Sequence, residues 1–123
     1  MFDVTILMSE NTLAKISNIE DYHCRFLGSV QVKGKKVAVK VFECFHAEPD
    51  EIVVLKKETM NDFNTGLNSY LSRDFIVAAG HLKNVLNVNP KDLTAERYFR
   101  QAAELMVKGV GPDWSGVEIM TEK

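Results

Sequence analysis

The stretch Cys24–Cys44, CRFLGSVQVKGKKVAVKVFEC, decides the fold, because two runs of alternating apolar residues meet at a glycine crowded with lysines. Phe26, Val30 and Val32 alternate with polar neighbours, Val37, Val39 and Val41 do the same, and Lys33-Gly34-Lys35-Lys36 lies between them. That pattern predicts a β-hairpin with strands over residues 25 to 32 and 37 to 45. Gly34 takes the positive φ of a tight turn at little cost, and the β-branched residues suit a half-buried pleated surface. Between Cys24 and Phe42 stand five basic side chains (Arg25, Lys33, Lys35, Lys36, Lys40) and no acidic one, so a local positive field and an anionic partner are expected.

Working outward, Val4 to Met8 reads as a short buried strand, and Ser9 as the N-cap of a helix running to about Ile16, which Ser17-Asn18 ends. His46 to Asp50 reads as a polar loop. From Pro49 onward the apolar period changes from two to 3.6. Pro49 suits a first helical turn, and Val53, Met60, Phe63, Leu67, Tyr70 and Leu71 continue one stripe, with a break expected near Lys56-Lys57. A second helix from Arg73 to Leu86 places Phe75, Ala78, Ala79, Leu82, Val85 and Leu86 on one face. A third, from Asp92 to Lys108, shows Leu93, Phe99, Ala102, Ala103 and Met106, and Gly109 and Gly111 release the chain into its tail.

The first two of these helices resemble one tetratricopeptide-type repeat, on Phe63, Gly66, Leu67, Tyr70, Ala78, Leu82 and Pro90. Gly66 reads either as a point of close helix approach or as a tolerated helix glycine costing about 1 kcal/mol. A lone repeat cannot bury its own apolar faces, so the third helix caps it or another chain covers it.

The hairpin carries a second resemblance. Arg25-Phe26-Leu27-Gly28, Val30-Gln31-Val32-Lys33-Gly34-Lys35 and Val39-Lys40-Val41-Phe42-Glu43 resemble the last hairpin of the class III adenylate and guanylate cyclase catalytic domain. Thr5-Ile6-Leu7-Met8-Ser9-Glu10 with Thr12-Leu13 resembles the strand and helix before it, and Trp114-Ser115-Gly116-Val117 with Met120-Thr121-Glu122-Lys123 the C-terminal tail of many bacterial members. The resemblance implies an α+β chain: a strand, helix and β-hairpin module ending a cyclase domain over residues 1–48, then an α-helical tetratricopeptide-like hairpin, capping helix and tail over 49–123. It also implies that the family's metal-binding aspartates, base-selecting pair, and transition-state asparagine and arginine belong before Met1, in a longer parent or in one whose chemistry is lost. The parent would make cyclic AMP or cyclic GMP from ATP or GTP with Mg or Mn, while this chain alone holds no cofactor and is expected to be inactive. Lys33 matches the family's contact to the terminal phosphate, and its plain alternative is a solvated turn lysine. Lys35 and Lys36 are weaker candidates, since turn lysines also keep a strand edge soluble.

Composition bounds the rest. With 123 residues, 46% apolar and 26% charged, the chain has room for one domain or two small modules. A net charge of -2, with no aromatic residues interleaved among the hairpin lysines, excludes the pattern of a nucleic-acid binder. The run Val4–Met8 is too short for a signal peptide or anchor, so a cytoplasmic location is expected for this piece. Cys24 and Cys44 fall opposite each other if the chain turns at Gly34, and read either as a bridge or as reduced, small apolar residues. His23, His46 and His81 share no ligand spacing; His81 flanks an apolar helix face, and Trp114 reads as an anchor for the tail or a partner site. Unpaired strand edges predict a homodimer, and the rival to a cyclase segment is a noncatalytic interaction or dimerisation module, marked by an apolar groove on the helices.

Overall fold

The computed structural model describes residues 7–9, 23–32, 34, 37–45 and 48–120. They fall into two compact units, a sheet that draws on residues before Pro49 and after Trp114, and a helical unit from Pro49 to Trp114.

The sheet has four strands, β1 (Leu7–Ser9), β2 (Cys24–Val32), β3 (Ala38–Cys44) and β4 (Glu118–Met120), in the order β1-β3-β2-β4. β1 and β2 flank β3 antiparallel, and β4 runs parallel to β2 with Val30 opposite Glu118. The predicted hairpin is therefore present, with Gly34 at φ 91° in its turn. The expected helix from Ser9 to Ile16 lies outside the described residues.

One expectation about the hairpin is corrected. Phe26 pairs with Phe42 but Gly28 pairs with Val41, so β2 carries one extra residue at Leu27-Gly28, a bulge that Gly28 accommodates at φ 117°. Because facing residues share a side of the sheet, the bulge shifts the alternation by one. Phe26 lies with Cys24, Phe42 and Cys44, while Val30 joins Arg25, Leu27, Val41 and Glu43 on the other, buried face.

The helical unit contains α1 (Asp50–Glu58), α2 (Met60–Leu71), α3 (Phe75–Val88) and α4 (Leu93–Lys108). Pro49 stands at the N-cap position of α1, whose first turn holds Asp50 and Glu51 and whose last holds Lys56 and Lys57, as the helix dipole favours. The break falls at Thr59, beyond the lysine pair, because the Thr59 hydroxyl donates to the Leu55 carbonyl at 2.8 Å and competes with the helical ladder. α3 begins at Phe75, two residues later than the sequence places it, since the Asp74 carboxylate accepts from the Val77 N–H and makes Asp74 the cap. Asp92 caps α4 in the same way through the Ala95 N–H at 3.1 Å.

Phe63, Leu67 and Tyr70 of α2 meet Phe75, Ala78, Leu82 and Val85 of α3, all buried as the 3.6 period predicts. The buried face of α4 includes Ala102 as expected but otherwise differs from the expected one. Ala95, Tyr98 and Ala102 are buried, whereas Leu93 and Met106 are 49% and 46% exposed. Alanines let the α4 backbone approach α3 closely, and Tyr98 fills the remaining space edge-on to Tyr70, with ring centroids 5.1 Å apart.

Candidate functional site

The sequence-predicted site is the hairpin tip, and Lys33, together with Lys35 and Lys36, lies outside the described residues. Gly34 between them is exposed, as is Lys40 on β3. The expected positive field loses one member. Arg25 lies opposite Glu43, its Nε donates to the carboxylate at 2.9 Å, its second guanidinium nitrogen stands at 2.8 Å, and both side chains are at most 1% exposed. The pair is neutral overall and closed to a ligand, so any anion attraction rests on the lysines.

At the other end of the hairpin, Cys24 and Cys44 face each other with their sulfurs 3.1 Å apart. Burial, then the hydrogen bond and charge of Cys44, push the Cys24 thiol up to about 12. His23 stacks on Phe45 beside them, and Phe26 meets Phe42 at a tilt on the same face as the thiols, with centroids 5.3 Å apart.

In the helical unit, Tyr70 is the hub of an aromatic group with Phe75, Tyr98 and Trp114, and its hydroxyl donates to Gln101 at 2.9 Å. Burial pushes the Tyr98 phenol up to about 12 and raises that of Tyr70. Trp114 thus anchors the tail to the helices. Arg73 assists by donating to the carbonyls of Pro112 and Trp114 at 2.8 and 2.7 Å, from the left-handed conformation (φ 69°) that turns α2 into α3. His81 Nδ1 lies 2.9 Å from the Asp62 carboxylate, which also accepts from Asn84, so the pair pins α2 to α3. Shallow grooves of about 390 and 410 Å³ are lined by Leu93, Glu96, Arg97, Arg100 and Gln101, and by Val77, Gly80, His81 and Asn84. Both linings mix apolar and polar surface.

Among the described residues, no three His, Cys, Asp or Glu side chains gather to hold a metal. No described helix is long and apolar enough to cross a membrane.

No protein-family model matches the chain, and no solved structure matches it. The chain is 25% identical over 100 residues to the terminal-differentiation specific adenylate cyclase of Dictyostelium discoideum. The match takes in 80% of this chain and 5% of that protein's length. The chain is therefore distantly similar to an adenylate cyclase over most of its own length.

Proposed function

We propose that this chain is the C-terminal part of a class III nucleotidyl cyclase of bacterial type, ending the catalytic domain and continuing into a tetratricopeptide-like helical appendage. The single observation that carries this reading is the similarity to an adenylate cyclase across 100 residues, which agrees with the hairpin motif around Gly34. The parent converts ATP or GTP to the cyclic nucleotide and pyrophosphate, as a cytoplasmic-facing homodimer with Mg or Mn held by residues outside this chain. Lys33 contacts the terminal phosphate, where an ammonium offsets charge that grows on the leaving pyrophosphate. The rival reading, a noncatalytic interaction or dimerisation module, calls for an apolar groove on the helices.

The test compares the chain alone with the protein read from its extended reading frame, each incubated with ATP or GTP and manganese. The chain alone is expected to form no cyclic nucleotide and the extended protein to form it. In the extended protein Lys33→Ala should lower catalytic efficiency about ten- to hundredfold, as loss of a charge-assisted hydrogen bond does, and Lys36→Ala far less. Equal small effects would remove Lys33 from the site, and an extended protein without activity would sink the cyclase reading.

A further inference from the structure

We infer that Cys24 and Cys44 form a reversible cross-strand disulfide site, open to exchange with low-molecular-weight disulfides of the glutathione type. This stands apart from the cyclase reading and rests on geometry alone. The Phe45 N–H donates to the His23 carbonyl at 2.8 Å, so residues 23 and 45 make a hydrogen-bonded pair and Cys24 and Cys44 the next, non-hydrogen-bonded one. Cα atoms at such a pair stand about 4.5 Å apart, within the range of roughly 4.4–6.8 Å that a disulfide spans. The side chains already point at each other, with the sulfurs in hydrogen-bond contact at 3.1 Å. Bridging requires no change of strand register.

Exposure assigns the roles. Cys24 is half-buried and meets the reagent, whereas Cys44 is 1% exposed and meets only Cys24. The Cys24 thiolate attacks one sulfur of the added disulfide, releasing one thiolate, which takes up the proton that Cys24 gave. The Cys44 thiolate then attacks Cys24 in the mixed disulfide, forming the Cys24–Cys44 bond and releasing the second thiol. The two protein thiols supply the two electrons, and the added disulfide is reduced to two thiols. With Cys24 held as a thiol to high pH, the first step is slow near neutrality, so equilibrium is the property to read.

Folding favours the bond because the fold has already closed the loop. The cysteines are 20 positions apart, and the closure entropy for a loop of that size corresponds to roughly a hundredfold in the equilibrium constant. The bond would fasten β2 to β3 at the end of the hairpin away from Gly34.

The whole chain is equilibrated in glutathione buffers of graded ratio, with and without denaturant, quenched by alkylation and read by mass and peptide mapping. The folded chain should lose two hydrogens, carry one Cys24–Cys44 link, and reach its midpoint at a ratio about a hundredfold more reducing than the denatured chain. Cys44→Ser should halt at a mixed disulfide on Cys24. Cys24→Ser should stay reduced while folded, because Cys44 is buried. If either variant fails to fold, the wild-type midpoints still decide. A folded midpoint equal to or more oxidising than the denatured one overturns the assignment, and so does accumulation of mixed or intermolecular disulfides in place of the internal link.

Discussion

Replacing Gly66 and Gly80 by alanine makes one chemical change at two helix-interior positions, and the structure assigns the two replacements opposite signs. In each helix the change gains about 1 kcal/mol of propensity, because alanine loses less backbone freedom than glycine. At Gly80 on α3 a Cβ meets nothing within 4 Å, so Gly80→Ala should stabilise by about the full amount. At Gly66 on α2 a Cβ would stand 3.0 Å from Leu82 Cγ, 3.2 Å from its Cδ2 and 3.3 Å from His81 Cβ. Leu82 is wholly buried and His81 is tied to Asp62, so neither yields cheaply. Overpacking a closed core costs about 1–3 kcal/mol, which leaves Gly66→Ala between neutral and about 2 kcal/mol destabilised. The two variants should differ by about 1–3 kcal/mol, with Gly66→Val lower still. Denaturant unfolding of the full chain, followed by the helical circular dichroism signal, reads the difference from the midpoints at unchanged slope. If Gly66→Ala matches or exceeds Gly80→Ala, the close approach of α2 and α3 at Gly66 is wrong.

Glu43→Ala should cost about 3–5 kcal/mol in the same assay by leaving the Arg25 guanidinium buried without its carboxylate, and Arg25→Met with Glu43→Leu together should recover most of the loss. A single variant within 1 kcal/mol of wild type, roughly the worth of an exposed pair, would place the pair in water. Tyr98 titrates near 12 in the fold against 10 for a free phenol, so its contribution is complete below about pH 10 and is lost as pH rises toward about 12. Stability over that window should fall by up to about 1.4 kcal/mol per pH unit more steeply than in Tyr98→Phe, and equal slopes in the two proteins would refute the burial.

The elements were legible in the sequence where one periodicity dominates, as in the α2 and α3 stripes and the valine alternation about Gly34. The face of α4 was legible at Ala102 but not beyond it, because apolar ranking prefers Leu93 and Met106 while close helix approach selects on size and takes Ala95. Nor was the bulge, since a glycine inside a strand pattern serves a bulge or none, and only pairing against β3 distinguishes them at Gly28. Lys33 is named by family resemblance, not by any feature of the residues that separates it from a solvated turn lysine. The Arg25–Glu43 pair was within reach. Counting outward from Gly34 sets Cys24 opposite Cys44, and one step inward along the same register sets Arg25 opposite Glu43. Reading Arg25 as part of a basic field overlooked a carboxylate 18 positions away that only strand pairing brings near. The same register makes the open end of the hairpin a thiol pair beside a buried ion pair, both set by pairing before the bulge, while the tip is set by pairing after it. A change in that bulge, such as replacing Gly28 at φ 117°, would shift the face that the tip residues occupy without disturbing which cysteine meets which.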